Sequence, residues 1–522
     1  MASGSRTKNS IINVLTSMGG QVLVIVLKFV TRTVFIHTLG KAYLGINGLF
    51  SDILTMLSLT ELGLDTALNF RLYKPLAEND EKRVRVLLKF YKQAYRVIGL
   101  VILGLGLCLI PLLPHLIKDY EKLAALNINA VLIFLIYLLQ SVASYLFFAY
   151  RSAVMKANQK KYVLDVAEYA VTVAVNAVQI CILVFLRSFI LYTLAWMVAA
   201  IVKNLVNAVI ARRWYPSFFL PEPDSLTRDE VRGLFKDCGA LFIYKVNTVV
   251  VKATDNIVLS KFLGLATVGL YSNYLLFYTT IQSFLGKLYV AVKASMGNLF
   301  ATSDLEKSYR FFQIMNYLTV ILYGTAAVGV TVCANELIRV WISEDYVIAQ
   351  PFAVLIGLEI LFMGLAFNLG QIRNVSGAFR QMWYRPLMGI VINLVVSVAL
   401  VRVCGVYGVI IGTVATLVLT NFLVDPHVIH KVSFQNTHPV SEYYKKNFAY
   451  IGVLTLVCLA DLWLCARFFT GHGWLSVIVH ALVVAVTVPG VLILVYYRTH
   501  ECQYLLALLG RVLRRVRRAA AR

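Results

Sequence analysis

The sequence is short of acid. Only 26 of its 522 residues are Asp or Glu, against 49 Lys and Arg, and charged residues of both signs total 14%. An ordinary soluble domain carries about 25%, so a soluble globular protein of this length is excluded. No polar stretch is long enough to house one as a separate domain. Catalytic signatures are missing too: there is no H-E-x-x-H, P-loop, G-x-S-x-G or catalytic cysteine pattern. Cysteine is sparse. The eight (Cys108, Cys181, Cys238, Cys333, Cys404, Cys458, Cys465 and Cys502) form no C-x-x-C, and most sit in apolar runs. They read as small core residues, not as disulfides or metal ligands. His427 and His430, three apart near the end of a run, make a poor metal pair and read as membrane-interface residues. Neither an enzyme, a cofactor nor a metal is expected.

What is abundant is apolar. Hydrophobic residues make up 59% of the chain, and the mean hydropathy is +0.75. Runs of about 20 apolar residues, the length that crosses a hydrocarbon core, recur from residue 11 to residue 497. They predict an all-α polytopic membrane protein of about fourteen helices, near 10–37, 43–70, 90–113, 126–150, 162–186, 188–211, 237–262, 267–299, 311–334, 350–372, 386–402, 405–430, 448–468 and 474–497. The first run is followed by no small-residue cleavage site and reads as a retained helix. Lys and Arg concentrate at the N-terminus, in alternate loops and in the tail, which predicts cytoplasmic N- and C-termini. The net charge of +23 is then accounted for by topology and anionic lipid rather than by nucleic acid. The loops of the opposite side are all short, so no large external domain is expected.

The chain repeats itself. Leu39-Gly-Lys-Ala-Tyr-Leu-Gly45 matches Leu263-Gly-Leu-Ala-Thr-Val-Gly269 at an offset of 224, and at the same offset Lys28 falls on Lys252 and Gln21 on Lys245. Six helices separate the copies, so the two have the same orientation. That predicts two parallel six-helix lobes related by an axis along the membrane normal. The expected division is an N-lobe over 1–211, a cytoplasmic linker over 212–236, a C-lobe over 237–430, two additional helices within 431–497 and a basic cytoplasmic tail over 498–522. In the linker, Thr227 with Glu230 reads as a capping box opening a short helix. In the tail, Leu505, Leu508, Leu509, Val512 and Val516 form one stripe, with Arg511, Arg514, Arg515, Arg518 and Arg522 mostly off it. This pattern suits a helix on an anionic leaflet.

Charges inside the spans single out a candidate site. A cation at mid-bilayer costs about 2.5–3.5 kcal/mol on insertion scales, so such groups normally line an interior or a watery path. Lys28 and Arg32 share a face of the first helix, and Lys245, Lys252 and Asp255 nearly share one on the seventh. The eighth helix carries Lys287 and Lys293; the second carries Asp52, Glu61 and Asp65. Lys245 and Lys293 lie near helix ends, where snorkelling explains them. In the first, seventh and eighth helices six cations face one acid. A cavity lined this way favours an anion, for which Arg offers a planar fork and Lys a point charge.

These features resemble a known group. Arg32-Thr-Val-Phe-Ile-His-Thr-Leu-Gly-Lys-Ala-Tyr-Leu-Gly-Ile-Asn-Gly-Leu-Phe50, followed by Leu57-Ser-Leu-Thr-Glu-Leu-Gly-Leu-Asp65, is similar to the Wzx-type polysaccharide transporters of the multidrug/oligosaccharidyl-lipid/polysaccharide (MOP) exporter superfamily. Asp255-Asn-Ile-Val-Leu-Ser-Lys-Phe-Leu-Gly264 and Gly405-Val-Tyr-Gly-Val-Ile-Ile-Gly412 fit the same group. The resemblance implies a MATE-like flippase of a bacterial plasma membrane. It would carry a polyprenyl-pyrophosphate-linked oligosaccharide from inner to outer leaflet for capsule, exopolysaccharide or wall polymer, with polymerase or ligase machinery downstream. It also implies that Lys28 and Arg32 meet the pyrophosphate; Lys252 follows through the repeat, with Lys287 a further candidate. Asp52, Glu61, Asp65 and Asp255 are candidates for ion coupling or charge pairing. A lipid II flippase is the near alternative. An ion-coupled drug exporter of the same fold is another, though it would present carboxylates to cationic substrates.

Overall fold

A computed structural model describes residues 3–520 apart from 59–63, 119, 126–127, 303, 377, 379–380, 470 and 472. Among the described residues every regular element is helical. Among the described residues ten helices are long and apolar enough to cross a membrane, or eleven if a pair bent by 42°, Ala130–Leu146 with Ala149–Ala157, is one span. Apolar side chains such as Phe185 and Val403, 80% and 82% exposed, stud the outer helix faces. Bare apolar surface on this scale requires a lipid surround. The chain belongs in a membrane as a multi-pass protein.

By contacts the chain forms two units, Met1–Ser272 and Asn273–Arg522. The first begins with α1 (Ser3–Leu39), α2 (Lys41–Leu57), α3 (Leu64–Glu78) and α4 (Glu81–Leu109). Of the span expected over 43–70, residues 59–63 lie outside the described residues. Next come α5 (Ala130–Leu146), α6 (Lys161–Cys181), α7 (Phe189–Trp214) and α8 (Arg228–Leu263). In this unit α1 packs on α6, α7 on both α5 and α6, α4 on α5, and α2 on α8.

Local chemistry sets several of these starts. Asp80 accepts from the Arg83 N–H at 2.9 Å, Asn129 from Leu132 at 3.0 Å and Ser188 from Leu191 at 3.3 Å. Each meets a donor that a helix start leaves orphaned. Thr227 and Glu230 form the expected capping box: the threonine hydroxyl accepts from the Glu230 N–H at 3.3 Å, and the Glu230 carboxylate accepts from the Thr227 N–H at 2.8 Å. The helix it opens is not short. No proline follows before Leu263, and α8 runs unbroken for 36 residues. At 1.5 Å per residue that is about 54 Å, well beyond a hydrocarbon core of about 30 Å.

The linker ahead of α8 is strapped down. Lys82 Nζ lies 2.7 Å from an Asp224 oxygen, Arg85 Nε 3.0 Å from Glu222, and Arg83 pairs with Glu230. Lys89 Nζ donates to the carbonyls of Pro223 and Asp224 at 2.8 and 3.2 Å. The linker acids and the basic first turns of α4 thus form one clasp.

The sequence repeat is also a structural repeat. Gly40 and Gly264, 224 apart, hold the same left-handed backbone, φ 83° and 92°. Five residues on, a Cβ on Gly45 would sit 1.9 Å from the Leu265 carbonyl oxygen, and one on Gly269 would sit 2.2 Å from that of Lys41. Lys41 and Leu265 are themselves repeat partners. Each copy's glycine therefore receives the backbone of the other copy, as only glycine can.

The remaining helices are α9 (Leu265–Thr302), which runs across the unit boundary, α10 (Leu305–Trp341), α11 (Gln350–Ser376), α12 (Arg385–Cys404), α13 (Val406–Thr416), α14 (Asp425–Ser433), α15 (Val440–Phe468), α16 (Trp474–Tyr496) and α17 (His500–Ala520). α11 is the core of the second unit, with 72% of its apolar window buried against 11% for α6 or α7 of the first. α12 and α13 form a hairpin closed at Gly405. Asp425, fully buried, bridges Arg373 Nη1 at 3.0 Å and Arg385 Nε at 3.1 Å. His430 is fully buried, faces Tyr309, Phe312, Phe434 and Tyr443, and hydrogen-bonds the Pro426 carbonyl through Nδ1 at 2.8 Å. Among the cysteines Cys465 and Cys502 are buried, whereas Cys108, Cys181 and Cys404 are exposed on the protein surface.

Candidate functional site

The intramembrane charges of the first unit gather around α1, α2, α8 and the first turns of α9. Arg32, half-buried on α1, donates from Nη2 to Ser272 Oγ on α9 at 2.6 Å. That hydroxyl in turn donates to the Gly269 carbonyl at 2.7 Å. One residue before Arg32, buried Thr31 donates to Asn176 of α6 at 2.6 Å, which fixes the rotation of α1. Arg32 also lies within electrostatic reach of Tyr192 on α7. Lys28, one turn earlier on the same face, is exposed.

The carboxylates are each held by a neutral donor. Asp52 on α2 accepts from Asn256 Nδ2 on α8 at 2.6 Å. Lys252, one turn before Asn256, is within electrostatic reach of Asp52. Buried Asp255 accepts from the Tyr271 hydroxyl at 3.3 Å. Tyr271 and Ser272 are adjacent, so one turn of α9 contacts both Asp255 and Arg32. Asn47, further up α2, accepts from the Tyr137 hydroxyl of α5.

The repeat explains the pattern. Arg32 corresponds to Asn256 at the offset of 224, and Ser272 to Gly48. A Cβ on Gly48 would lie 3.5 Å from Asn256 Nδ2. So position 32 reaches across to the second copy's second helix, and position 256 reaches across to the first copy's. In the first copy the reaching group is a cation; in the second it is a neutral amide, aimed at an acid. Among the described residues Lys252 acts on Asp52, and Arg32 and Asp255 meet the same turn of α9. The cations here therefore have acids close at hand, Asp52 for Lys252 above all.

The other candidates fall elsewhere. Lys287 is half-buried on α9 in the second unit. Glu61 lies outside the described residues, as do the side chains of Asp65, Lys245 and Lys293. Asn256, Ser272 and Tyr271 carry no charge, so a search for charge in the spans passes over them. The repeat offset carried the signal for Asn256, because it marks the position equivalent to Arg32. Among the described residues no group of three or more His, Cys, Asp or Glu is arranged to hold a metal.

Comparison with known proteins adds to this geometry. A family profile described as "Polysaccharide biosynthesis protein" matches residues 10–293, which include α1, α2, α8 and most of α9. No curated protein matches the chain. Among solved structures, an inward-facing multidrug resistance MATE family transporter of the MOP superfamily superposes with TM-score 0.62 at 11% identity, covering 82% of this chain and 100% of its own. A Vibrio cholerae MATE transporter, VcmN, gives 0.58 at 15% identity, covering 84% and 98%. The lipid II flippase MurJ in an inward closed conformation gives 0.55 at 14% identity and covers 94% and 99%. These likenesses establish the MATE/MurJ-like MOP fold.

Proposed function

We propose, from the premise that the chain belongs to the polysaccharide biosynthesis protein family, that it flips a polyprenyl-pyrophosphate-linked oligosaccharide from the inner to the outer leaflet of a bacterial plasma membrane. Family and fold are those of membrane transporters rather than enzymes. The observation that carries the reading is the charge on α1. Arg32 and Lys28 are intramembrane cations on one face of a helix inside the matched region, and groups of this kind mark a substrate path. The Arg32 guanidinium donates to a neutral hydroxyl. A pyrophosphate would offer it the bidentate, charge-assisted partner that its planar fork suits.

In this reading Lys28 and Arg32 take the pyrophosphate, Lys252 and Lys287 contribute further positive field, and the polyprenyl chain stays in lipid. Asp52 and Asp255 answer the cations when no anion is bound. Arrival of an anion releases those acids from that duty, which supplies the differential contact that alternating access needs. Glu61 and Asp65 remain candidates for coupling to an ion gradient. The product would pass to polymerase or ligase machinery on the outer face, with both termini in the cytoplasm.

Transport of lipid II is the second reading. One observation favours it: the superposition on MurJ extends over 94% of the chain against 82% for the MATE transporter. The added share is about the length of the two extra helices, α15 and α16. Both substrates are polyprenyl pyrophosphates, so the site does not separate them; the glycan does.

Conditional depletion followed by mass analysis of polyprenyl-linked glycans tests both. Build-up of a complete pyrophosphate-linked oligosaccharide, with surface glycan lost, is the expected result. Build-up of a peptide-bearing disaccharide would favour the lipid II reading. Unchanged lipid-linked pools with new drug sensitivity would overturn both.

A further inference from the structure

We infer that α17 is a docking surface for anionic phospholipid headgroups, anchored to the bundle at its first turn. The helix is held firmly at its start. α16 ends at Tyr496, and α17 begins at His500, so a three-residue turn separates it from a membrane-crossing helix. Its first turn is buried: Glu501 and Cys502 are 4% and 1% exposed. Glu501 accepts from Lys446 Nζ of α15 at 2.7 Å, and the helix packs on α10.

Beyond that turn the same face loses its cover. Cys502, Leu505, Leu509, Val512 and Val516 follow one another at helical spacing. Yet Leu508 and Leu509 are 40% and 56% exposed, and Tyr504 is 41% exposed. Apolar side chains that follow a buried first turn, Tyr504, Leu508 and Leu509, therefore stand uncovered within two turns of it. Charge identifies what covers them. Glu501 is the last acid in the sequence and is already paired, and the sequence after it carries Arg511, Arg514, Arg515, Arg517, Arg518 and Arg522. Arg511 and Arg514 are exposed. An apolar stripe flanked by arginines, at the end of a membrane span, is complementary to the acyl boundary and phosphates of an anionic leaflet. Each arginine that reaches such a leaflet strengthens binding by about fivefold.

Amide hydrogen exchange on the full chain tests this, in nanodiscs of phosphatidylcholine alone or mixed with phosphatidylglycerol. Amides of residues 504–520 are expected to exchange at least roughly tenfold more slowly in the anionic discs, with the difference lost in high salt. Arg511→Gln, Arg514→Gln, Arg515→Gln and Arg518→Gln together should abolish the lipid dependence, while exchange across α10 stays unchanged and reports an intact bundle. Leu508→Gln with Leu509→Gln should reduce protection in anionic discs without altering the salt response of what remains. Equal exchange in the two lipids would overturn the assignment, whether both are slow, as for a helix covered by protein, or both are fast. The readout needs no transport substrate, so it stands apart from the function proposed above.

Discussion

Gly45→Ala adds one methyl group at the tightest point of the α2–α9 crossing. The new Cβ would lie 1.9 Å from the Leu265 carbonyl oxygen and 2.7 Å from its carbon. A close carbon–oxygen contact is about 3.3 Å, so the two backbones have to part by about 1.4 Å. The obstacle is backbone, not the far end of a flexible side chain, and so it cannot rotate away. Overpacking of this kind costs about 1–3 kcal/mol, against a helix-propensity gain of about 0.5–1 kcal/mol for replacing glycine by alanine. The expected net loss is about 0–2.5 kcal/mol, and the loss relative to a glycine with open space about 1–3 kcal/mol. Gly269→Ala, facing the Lys41 carbonyl at 2.2 Å, should cost a similar amount. The double variant should cost less than the two singles together, because helices parted by one methyl already accommodate the other. Gly452→Ala is the control: it sits within α15 with nothing within 4 Å of an added Cβ, so only the propensity gain applies. Thermal unfolding of the purified protein in one detergent reads all four. A Gly45→Ala variant as stable as Gly452→Ala would refute the reasoning, as would strict additivity of the double variant.

Four further outcomes are expected. Arg32→Ala should abolish export of the lipid-linked glycan while the protein still inserts and folds; Arg32→Lys should keep part of it, and full export with Lys28→Ala and Arg32→Ala combined would sink the cationic-site reading. Asp52→Ala should lower stability by about 1–3 kcal/mol, because it strands the amide of Asn256, whereas Asp52→Asn should cost less; melting temperatures decide. Thr227→Ala removes the cap of α8 and should cost about 1 kcal/mol, seen as faster amide exchange over residues 228–232. The clasp should resist mild acid: the Lys82 hydrogen bond holds Asp224, and the Thr227 N–H and Arg83 hold Glu230, below their ordinary carboxylate values. Lowered acid pKa values stabilise at every pH above the unfolded-chain values of about 4 and lose that contribution only as pH falls through the folded ones. Exchange in residues 215–230, corrected for intrinsic rate, should therefore match at pH 7 and pH 5 and rise only below about pH 4; loosening already at pH 5 would count against the clasp.

The membrane class was legible because hydropathy over 20 residues integrates a large free energy, and no local detail competes with it. The capping box at Thr227 was legible for a different reason: both of its partners lie within one turn. The length of the helix beyond a cap is harder to see. The unbroken run of α8 depends on the absence of any stop, and a window that seeks apolar residues begins it at 237 rather than Arg228. The repeat gave the positions of Gly45 and Gly269 but not their contact, since a glycine that turns the chain and one that admits a neighbouring backbone look alike in sequence. The burial of His430 was not legible, because two of the rings around it, Tyr309 and Phe312, come from a segment more than 100 residues away. The charge count pointed to Arg32 and Lys252 but could not find Asn256, an uncharged residue whose role comes from the acid opposite it.

The reciprocal glycine contact has the symmetry of an interface. Gly45 meets Leu265, and Gly269 meets Lys41: residue i touches the partner of j, and j touches the partner of i. In separate chains that relation defines an isologous interface, the contact by which two identical subunits pair about a twofold axis. Here it lies within one polypeptide, between copies that keep the same backbone at Gly40 and Gly264 and have diverged at Arg32 and Asn256. The crossing has the geometry of a homodimer contact built into a single chain. A single chain lets the two sides differ, and they do: one holds a cation where the other holds an amide.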